Sequence, residues 1–560
     1  MVTEITSSSL IPIETSFRLK AGPGAGKTYW LINHVRNVMS KAELGKRGKI
    51  GCFSYSNIGA DTISSRLGKC DKVDVCTLHS FLYTNLVGPY LYLIADDFGF
   101  NINKYNGVVD DYVLNDYPIM ESLQKELRAN PKTYKTYLDP KLWNDYLTHL
   151  RWYLSKDEGK LSCRSSKPIN DKYPAPSSLG IMYKKVAWNH GILHYDDVNF
   201  FAYKLLLKYP FLSNVISKSY PYIFIDEFQD TNPIQSDIIS RIGNAGGIIG
   251  VIGDVAQSIY GFMGAKPKSF LEFTVPGLKE YVIKNNRRSL RNIVEFLNAL
   301  RLDLTQESIF EESGDKVCFL VGSKEKAFRF VSETKGLNVA VLSYSNVETN
   351  SLRYQFLENR GEIPIIKIKD FKDSNASRFL IVTSFVKAIE HARSGKFKKA
   401  FSCLERAGFS PESSISFLKV LLSKDDIDNL TMIEFVETLI KIGIQISRIT
   451  KGDPKKTYSN YTYGEIAQTV SIEDDDCNQR TIHKAKGDEF ENVLVLMGSK
   501  FNIDRLFNFD LLGDKNEPNR VYYVAMSRAK QRLFINFQSL SEEMEQKIHA
   551  KFNIDIVRLL

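Results

Sequence analysis

The run Ala21-Gly-Pro-Gly-Ala-Gly-Lys-Thr28 has the residue types and spacing needed to hold phosphate groups. The helix that follows it favours negative charge at its N-terminus, Lys27 can reach the β- and γ-phosphates of a nucleotide, and the hydroxyl of Thr28 can bind Mg²⁺. A chance glycine-rich turn is the alternative, because the strict pattern begins with glycine and this one with alanine. The small residues that open backbone N–H groups to phosphate are Gly22, Gly24, Ala25 and Gly26.

Two adjacent carboxylates, Asp226 and Glu227, follow the apolar run Tyr222–Ile225. At the carboxyl end of a strand they can divide the work of hydrolysis. Asp226 holds the metal ion through water, and Glu227 orients or deprotonates the attacking water. An acidic transition from strand to loop is the alternative. The phosphate-binding run at a suitable separation favours the catalytic interpretation.

Phosphoryl transfer also needs positive charge on the far side of the γ-phosphate, where an arginine contributes roughly 10³–10⁵ in rate. Arg288, within Asn286-Arg-Arg-Ser289, and Arg528, within Tyr523–Lys530, are the candidates. A single arginine is more often a solvated surface charge. A catalytic role for these two arginines is therefore supported only if the rest of the chain also matches a known pattern of motifs.

Short apolar runs, bounded by turn or charged residues, are typical of the buried parallel strands that would position these groups. The second such set begins well after the first, and helix-like segments, Asn85–Lys208 and Ser374–Lys451, separate them. We therefore predict two α/β units with parallel sheets, each interrupted by a mainly helical insertion. The first set is Ile50–Tyr55, Val73–Thr77, Tyr222–Ile225, Ile248–Ile252 and Leu278–Ile283; the second is Leu337–Ser343, Ile365–Ile368, Asn492–Met497 and Arg532–Phe537.

Helices and connections are predicted from spacing and composition. Apolar residues at helical spacing indicate helices, and polar, proline-containing stretches indicate loops or linkers. The predicted helices are Tyr29–Met39, Phe385–Leu404, Pro411–Leu422 and Thr431–Ile446. The predicted loop is Ser162–Ser178, and the predicted linkers are Asp453–Tyr463 and Glu473–Asp476.

Composition places the chain among ordinary globular proteins. Its 560 residues include 74 Lys and Arg against 65 Asp and Glu, for a net charge of +9, with 43% hydrophobic residues. This composition excludes disorder of the bulk, and the small positive charge is only a slight preference for polyanions. The seven scattered cysteines form no CxxC pair, and no apolar run is long enough to span a membrane. We expect a soluble, cytoplasmic protein with no membrane partner.

In order and combination, the segments resemble the motifs of superfamily 1A DNA helicases of the UvrD/Rep/PcrA type. The phosphate-binding run, the acidic pair and both arginine segments belong to this match, which extends from near the start of the chain to near its end. Further matches are Phe53–Asn57 (motif Ia), Thr77–Phe81 (Ib), Asp226–Gln235 (the DExQD box), Gly253–Phe262 (III), Asn286–Ser289 (IV), Leu342–Leu352 (IVa), Thr481–Phe490 (V) and Arg520–Lys530 (VI).

The resemblance implies two RecA-like P-loop motor domains, 1A and 2A, with helical insertions 1B and 2B, and ATP with Mg²⁺ bound at the 1A/2A cleft. The implied domains are 1A at 1–84 and 195–278, 1B at 85–194, 2A at 279–373 and 473–560, and a reduced 2B at 374–472. Lys27, Thr28, Asp226, Glu227 and Gln257 would approach ATP from 1A, and Arg287, Arg288, Glu489 and Arg528 from 2A, with Glu489 at the ribose. The implied DNA contacts are Tyr55, Asn57, His79, Tyr260, Phe262 and His483; aromatic rings stack on unpaired bases of any sequence.

The chain departs from the family pattern at four places. Nothing in residues 1–15 matches the glutamine motif that reads adenine, and Arg287 stands where motif IV usually has a base-stacking tyrosine. Met263 and Tyr344 replace arginines that are common in motifs III and IVa. The 2B segment is shorter than usual, and about 30 residues follow motif VI, so we expect no appended nuclease domain.

The leading hypothesis is an ATP-dependent 3′–5′ translocase and helicase on single-stranded or partly duplex DNA, in DNA repair or anti-phage defence. Shortened helicases of this type resemble those encoded beside a nuclease in anti-phage systems such as Gabija, so a nuclease partner is one expectation. The alternative is an ATP- and DNA-gated sensor that controls such a nuclease with little processive unwinding. An RNA track is a third hypothesis, because stacking does not distinguish the sugars.

Overall fold

The structure is a computed structural model in which two compact units are distinguished, residues 1–313 with 506–527 and residues 314–505 with 528–560. The described residues are 2–68, 70–109, 117–129, 146–147, 149–155, 160–166, 177–345, 348–349, 371, 373, 375–424, 426–467, 470, 478–498, 506–507 and 516–559.

The first unit contains a parallel sheet in the order β1-β11-β2-β10-β9-β3-β4. Its strands are near-continuous apolar runs such as Tyr222–Ile225, in which all four residues are buried, as expected for a sheet covered on both faces. The strands of this unit are β1 Val2–Ile5, β2 Phe17–Ala21, β3 Ile50–Ser54, β4 Val73–Thr77, β5 Val108–Val109, β6 Leu150–Leu154, β7 Leu161–Ser165, β8 Leu193–His194, β9 Tyr222–Ile225, β10 Ile248–Gly253, β11 Lys279–Ile283, β12 Asn285–Asn286 and β13 Glu307–Ser308.

The five strands predicted for the first set all lie in this sheet. Strand β11 pairs with β2 and with β1, an N-terminal strand that the sequence analysis did not predict. The boundary at residue 279 assigned β11 to domain 2A, although the strand belongs to the first sheet. The division into 1A, 1B, 2A and 2B otherwise stays a prediction.

Helices surround this sheet and fill the predicted insertion. The predicted helix Tyr29–Met39 is confirmed as part of α1, which buries Trp30 and Val35 against the sheet. The helices within residues 1–313 are α1 Lys27–Lys41, α2 Asn57–Leu67, α3 Leu78–Leu82, α4 Gly88–Tyr90, α5 Tyr117–Ala129, α6 Ser177–Asn189, α7 Asp197–Lys208, α8 Phe211–Ser219, α9 Pro233–Asn244, α10 Pro267–Leu271 and α11 Arg291–Leu300.

The predicted insertion also contains strands. The prediction of a loop over Ser162–Ser178 is wrong at its start, where the chain forms β7. Strand β7 pairs with β6 in an antiparallel hairpin, with Trp152 opposite Cys163. The side chains alternate: Cys163 is buried, while the guanidinium of Arg164 lies 4.6 Å from the ring centre of Tyr153. These cross-strand contacts stabilise a short hairpin that polar composition alone does not reveal.

The second unit contains a parallel sheet in the order β16-β15-β17-β18-β14-β19. Its members confirm three of the predicted runs, while Ile365–Ile368 lies outside the described residues. The strands are β14 Val317–Val321, β15 Ala340–Ser343, β16 Gln479–Thr481, β17 Phe490–Leu496, β18 Ala529–Phe537 and β19 Ile554–Arg558. The remaining helices are α12 Lys324–Arg329, α13 Ala376–Arg393, α14 Phe397–Arg406, α15 Pro411–Leu422, α16 Met432–Lys441, α17 Asp453–Asn460, α18 Tyr463–Ala467, α19 Glu517–Met526, which belongs to the first unit, and α20 Glu542–Lys551.

The predicted linker Asp453–Tyr463 is wrong, because most of it forms α17. Pro454 stands in the first turn of the helix, where proline is tolerated. Tyr458 is fully buried, lies 4.6 Å from the ring of Phe371 and donates a 2.9 Å hydrogen bond to Asp373. One buried tyrosine therefore fixes a segment whose overall composition is polar. The predicted linker Glu473–Asp476 lies outside the described residues.

The predicted helix Phe385–Leu404 is two helices, α13 and α14, separated by a turn at Gly395, where φ is 73°. The prediction Pro411–Leu422 is confirmed as α15. Helix α16 ends at Lys441, before the end predicted for it, and Gly443 follows with φ of 98°. Glycine accepts this left-handed conformation and stops each helix where apolar spacing alone would continue it.

Candidate nucleotide and DNA site

The phosphate-binding run forms the turn between β2 and α1. Gly24 and Gly26 have φ values of 71° and 80°, which residues other than glycine rarely adopt. Space is also limited, because a Cβ atom at Gly24 would lie 2.7 Å from the Cβ atom of Arg288. No described side chain caps the N-terminus of α1, so this end of the helix is left for an anion.

Lys27 and Thr28 begin α1 and lie at the carboxyl end of the sheet. The ammonium of Lys27 is buried and donates a 3.3 Å hydrogen bond to the carbonyl oxygen of Ala21. The hydroxyl of Thr28 donates a 3.2 Å hydrogen bond to Oδ2 of Asp226. The structure therefore brings together the two residues for which the sequence predicted a shared metal ion.

Asp226 is a buried carboxyl group held by the backbone around it. Its own N–H donates to the carbonyl oxygen of Phe53 at 2.8 Å, and its Oδ1 accepts the N–H of Glu227 at 3.0 Å. Burial, and then the charge of Glu227, raise the pKa of Asp226 to about 6, although Lys27 opposes the shift. A carboxylate that is costly to keep ionised favours a cation beside it.

Glu227 has a backbone conformation unlike that of any other described residue except glycine. Its φ is 54°, in the left-handed region, and such strain is concentrated at functional sites. The carboxylate of Glu227 accepts a hydrogen bond from the amide of Gln229, and Oε1 of Gln229 accepts the N–H of Asp254 at 3.0 Å. The acidic pair is thus joined to the segment that follows β10.

Gln257 is fixed by Asp254 within a short 3₁₀ turn, Val255–Gln257. Its side-chain amide donates to Oδ2 of Asp254 at 2.9 Å, and the N–H of Ala256 donates to Oδ1 at 3.2 Å. Gln257 and Asp254 are both buried. The predicted Gln257 therefore lies in the same hydrogen-bonded set as Glu227.

The segment Asn286–Arg288 contacts the phosphate-binding turn directly. Asn286 donates a side-chain hydrogen bond to the carbonyl oxygen of Pro23 at 3.0 Å, and the N–H of Arg287 donates to Gly24 at 2.8 Å. Arg288 donates from Nη1 to the carbonyl oxygen of Ser527 at 3.0 Å. The structure therefore brings Arg287 and Arg288 next to the turn that their predicted roles require.

A cavity of about 620 Å³ in the first unit is lined in part by aromatic rings. Tyr55 and Tyr260 stack with their ring centres 5.2 Å apart, and Phe262 meets Tyr260 edge to face at 6.1 Å. Phe262 is 59% exposed, so it is not a core residue. Exposed and half-exposed rings in a cavity are suited to stacking on flat ligands.

The lining of the cavity contains a second ring pair. His79 and Tyr195 are parallel, with ring centres 3.4 Å apart. Burial lowers the pKa of His79 to about 4, so the imidazole is neutral near pH 7 and adds no charge. Asn57, the first residue of α2, is exposed at the rim. The structure thus gathers five of the six predicted DNA contacts in one place.

The remaining predicted residues lie in the second unit. Arg528 is buried, donates from Nη1 to the carbonyl oxygen of Asp488 at 3.3 Å and accepts the N–H of Phe490 at its own carbonyl oxygen. Glu489 forms a 3.1 Å ion pair with Lys530. His483 lies edge to face with Tyr344, at 6.0 Å between ring centres. Glu489 and Arg528 therefore lie together at the starts of β17 and β18, whereas His483 lies beside Tyr344, after the carboxyl ends of β16 and β15.

Sequence comparison identifies the family of the chain. The UvrD/REP helicase N-terminal domain matches residues 3–276, and the UvrD-like helicase C-terminal domain matches residues 465–539. The chain belongs to the UvrD/Rep helicase family. It is accordingly an ATP-binding and DNA-binding enzyme, and the predicted RecA-like α/β fold is confirmed.

Curated relatives align with most of the helicase at low identity. The ATP-dependent DNA helicase Rep of Buchnera aphidicola subsp. Schizaphis graminum is 23% identical over 95% of this chain and 92% of its own. The ATP-dependent DNA helicase PcrA of Staphylococcus epidermidis is 20% identical over 94% and 82%. The Gabija protein GajB of Bacillus cereus is 23% identical over 87% and 75%.

Helix α19 supplies contacts that the sequence analysis of the helicase missed. Glu517 accepts the N–H of Gly261 at 2.8 Å, and the buried Arg520 donates to the carbonyl oxygen of Ser258 at 2.6 Å. The charged side chains of α19 therefore hold the loop between Gln257 and Phe262. Arg520 is the first residue of the matched motif VI, so the sequence offered a reason to consider it. Nothing in the local sequence distinguishes Glu517.

No described helix of the helicase combines the length and apolar character needed to cross a membrane. Within the same residues, no group of three or more His, Cys, Asp or Glu side chains is arranged to hold a metal ion.

Proposed function

We propose that the helicase is an ATP-dependent 3′–5′ single-stranded DNA translocase that unwinds DNA. The observation that carries this proposal is the hydrogen-bonded series from Thr28 through Asp226, Glu227 and Gln229 to Asp254. It connects a phosphate-binding turn to the loop that leads to Phe262. Such a connection is what coupling of hydrolysis to DNA contact requires.

In this proposal, Lys27 stabilises the charge of the β- and γ-phosphates, and Thr28 with Asp226 would hold Mg²⁺. A hydroxyl and a buried carboxylate are oxygen ligands of the kind that Mg²⁺ prefers, and the raised pKa of Asp226 fits a neighbouring cation. Bound Mg²⁺ would neutralise charge on the phosphates. Glu227 orients the attacking water and accepts its proton.

The other predicted residues complete the proposed ATP site. Arg288 balances charge that develops on the γ-phosphate. Gln257, whose side chain is held by Asp254, contacts the same phosphate. Arg287 is exposed beside the phosphate-binding turn, and its guanidinium plane is suited to stacking on the base. Arg528, as a second cation, and Glu489, as a ribose contact, rest on the family resemblance.

The proposed track is unpaired DNA on the rings of Tyr55, Tyr260 and Phe262, with His79 and Asn57 at the same cavity. His483 rests on the resemblance alone. Aromatic stacking is worth about 1–3 kcal/mol per base and tolerates any sequence. The 3′–5′ direction also comes from the resemblance. It is tested by unwinding of duplexes that carry either a 3′ or a 5′ single-stranded tail.

The deciding experiment is the steady-state ATPase rate with and without single-stranded DNA, for wild type and Glu227→Gln. Glu295→Gln, an exposed glutamate on α11, is the matched control. We expect strong stimulation by DNA in wild type and in the control, and loss of turnover with retained ATP binding in Glu227→Gln. A parallel measurement with single-stranded RNA tests the alternative track.

A second candidate function is an ATP- and DNA-gated subunit that controls a partner nuclease in anti-phage defence. The observation that favours it is the alignment with the Gabija protein GajB over 87% of this chain. A cytoplasmic role in DNA repair is the other proposed setting, and the DNA helicases Rep and PcrA align over 95% and 94% of this chain. Weak or DNA-independent hydrolysis, together with a nuclease encoded by the neighbouring gene, would favour the gated subunit.

A further inference from the structure

Arg301, just beyond α11, directs all of its donors at groups within the first unit. Its Nη1 and Nη2 donate to Oδ2 and Oδ1 of Asp254 at 3.1 and 2.9 Å, and Nη1 also donates to the hydroxyl of Tyr523 at 3.1 Å. Nε and Nη2 donate to the carboxylate of Asp303 at 3.0 and 2.9 Å. The side chains of Arg301 and Asp254 are both completely buried.

Asp254, the partner of Arg301, is the residue that holds Gln257. One carboxylate oxygen, Oδ2, accepts hydrogen bonds from both Arg301 and Gln257. The N–H of Asp254 donates to Gln229, which in turn donates to Glu227. The carboxylate of Asp254 therefore holds Gln257 directly, whereas the link toward Glu227 starts from the backbone N–H of Asp254.

The loop that begins at Arg301 also contacts the phosphate-binding turn and the strand before it. Asp303 forms a 2.7 Å ion pair with Lys20, at the end of β2. The amide of Gln306 donates to the carbonyl oxygen of Pro23 at 3.2 Å and fills the space beside Gly22. One short loop thus contacts the phosphate-binding turn and the Gln257 segment together.

A buried ion pair in this place is by itself weak evidence for a role in stability. The cost of desolvating two charges offsets most of their attraction, and apolar residues of similar volume often serve a fold as well or better. What the pair adds is direction, because the planar guanidinium holds a carboxylate through two parallel hydrogen bonds. A lysine, with a single rotatable charge, does not fix the carboxylate plane in this way.

We propose that Arg301 is a positioning residue for ATP hydrolysis, which sets the orientation of Gln257 through Asp254. This inference rests on the proposed function, because it assigns Arg301 a role through a residue of that site. Arg301 is not expected to contact the nucleotide. Its loss is expected to lower kcat and leave the KM for ATP little changed, since Lys27 and the phosphate-binding turn remain intact.

The test is a double-mutant cycle on DNA-stimulated ATPase, with Arg301→Met and Gln257→Ala separately and together. A misplaced side chain of a hydrolytic site costs up to about 100-fold in rate, and we expect a loss of about that size in kcat for Arg301→Met. In the Gln257→Ala background, Arg301→Met should add less than about two-fold, because the group through which it acts is already gone. A purely structural role would leave the two losses multiplicative.

Two further variants keep the result interpretable. Arg301→Lys retains the buried charge and is expected to fold, yet to lose kcat because the paired hydrogen bonds are broken. Arg378→Met removes an arginine that pairs with Asp373 at 2.6 Å in the second unit, and should leave kcat unchanged. Wild-type kcat in Arg301→Lys, or multiplicative losses in the cycle, would overturn the positioning role while leaving the proposed function in place. Unchanged hydrolysis in Gln257→Ala would overturn the assigned role of Gln257 and the inference with it.

Discussion

The side-chain amide of Gln229 donates a hydrogen bond to the carboxylate of Glu227, two residues earlier in the chain. The strained backbone at Glu227, with φ of 54°, turns its carboxylate back toward that amide. Gln229 is itself fully buried and receives the N–H of Asp254. The proposed water-orienting group is therefore held by a neighbour rather than left to rotate.

Gln229→Leu should lower kcat for ATP by about 10- to 100-fold, because Glu227 loses the group that orients it. ATP affinity should change little, since the phosphate-binding turn is untouched. The measurement is steady-state ATPase beside equilibrium nucleotide binding. Gln124→Leu, a half-exposed glutamine on α5, controls for the change of side chain. A wild-type kcat in Gln229→Leu would mean that the backbone alone orients Glu227.

Asp226→Asn should raise the stability of the nucleotide-free protein while it abolishes ATPase activity. Burial and the charge of Glu227 raise the pKa of Asp226 to about 6, against about 3.9 in an unfolded chain. The folded state thus keeps a proton that the unfolded state has lost, and stability from this group falls as the pH rises through about 6. At pH 8 the ionised carboxylate costs about 2–3 kcal/mol.

Thermal denaturation without nucleotide or Mg²⁺ checks this sign. The advantage of Asp226→Asn should be present at pH 8 and should shrink toward pH 5, where wild-type Asp226 gains its proton. Asp303→Asn should instead lower the stability of the protein at pH 8, because the ionised carboxylate of Asp303 is the favoured form. Burial favours its neutral form, but the hydrogen bond and charge of Arg301 hold the pKa of Asp303 at about 2. Equal destabilisation by both variants at pH 8 would contradict the account.

The parts of the site that the sequence predicted are short contiguous runs. The glycine and alanine residues at positions 22–26 expose their backbone N–H groups at the end of β2, and the side chains of Lys27 and Thr28 follow at once. Asp226 and Glu227 come directly after β9. In such runs, residue type and spacing already determine which atoms meet. The same holds for the apolar strands, since burial on both faces requires an uninterrupted apolar run.

The parts that the sequence did not predict depend on contacts between distant residues. Arg301 meets Asp254 across 47 positions, and Glu517 meets Gly261 across 256. Nothing in the spacing around either charged residue distinguishes it from a solvated one. Helix α17 was missed for a related reason. Its other seven residues show only a weak helical pattern, and the helix is held in place by the burial of Tyr458 against distant residues.

Phe262→Ala should weaken binding of single-stranded DNA and reduce stimulation of the ATPase, with little effect on stability. The ring is 59% exposed, so little apolar burial is lost. Loss of one stacked base costs about 1–3 kcal/mol, or roughly 5- to 150-fold in Kd. Fluorescence anisotropy with a labelled oligonucleotide measures the change. Tyr92→Ala, which removes a ring that is 62% exposed elsewhere, is the control. Equal losses in both variants would remove the special role of Phe262.

Met263→Arg should tighten DNA binding and make it more dependent on salt. Met263 is 40% exposed and lines the aromatic cavity, where its sulfur accepts a 3.6 Å hydrogen bond from Tyr55. The same cavity contains the carboxyl groups of Asp196 and Asp230, so an added cation changes its charge balance. A new phosphate contact on a single strand should steepen the plot of log K against log salt by about 0.7.

Met39→Arg is the matched control for this gain, because Met39 is 39% exposed and lies on α1, among none of the residues that line the cavity. Both variants add one positive charge to the first unit, so a general electrostatic attraction would improve binding in each alike. A steeper salt dependence in Met263→Arg alone would locate the phosphate backbone of the DNA beside residue 263. Unchanged binding in Met263→Arg would instead mean that the backbone runs elsewhere and that the cavity receives only the bases.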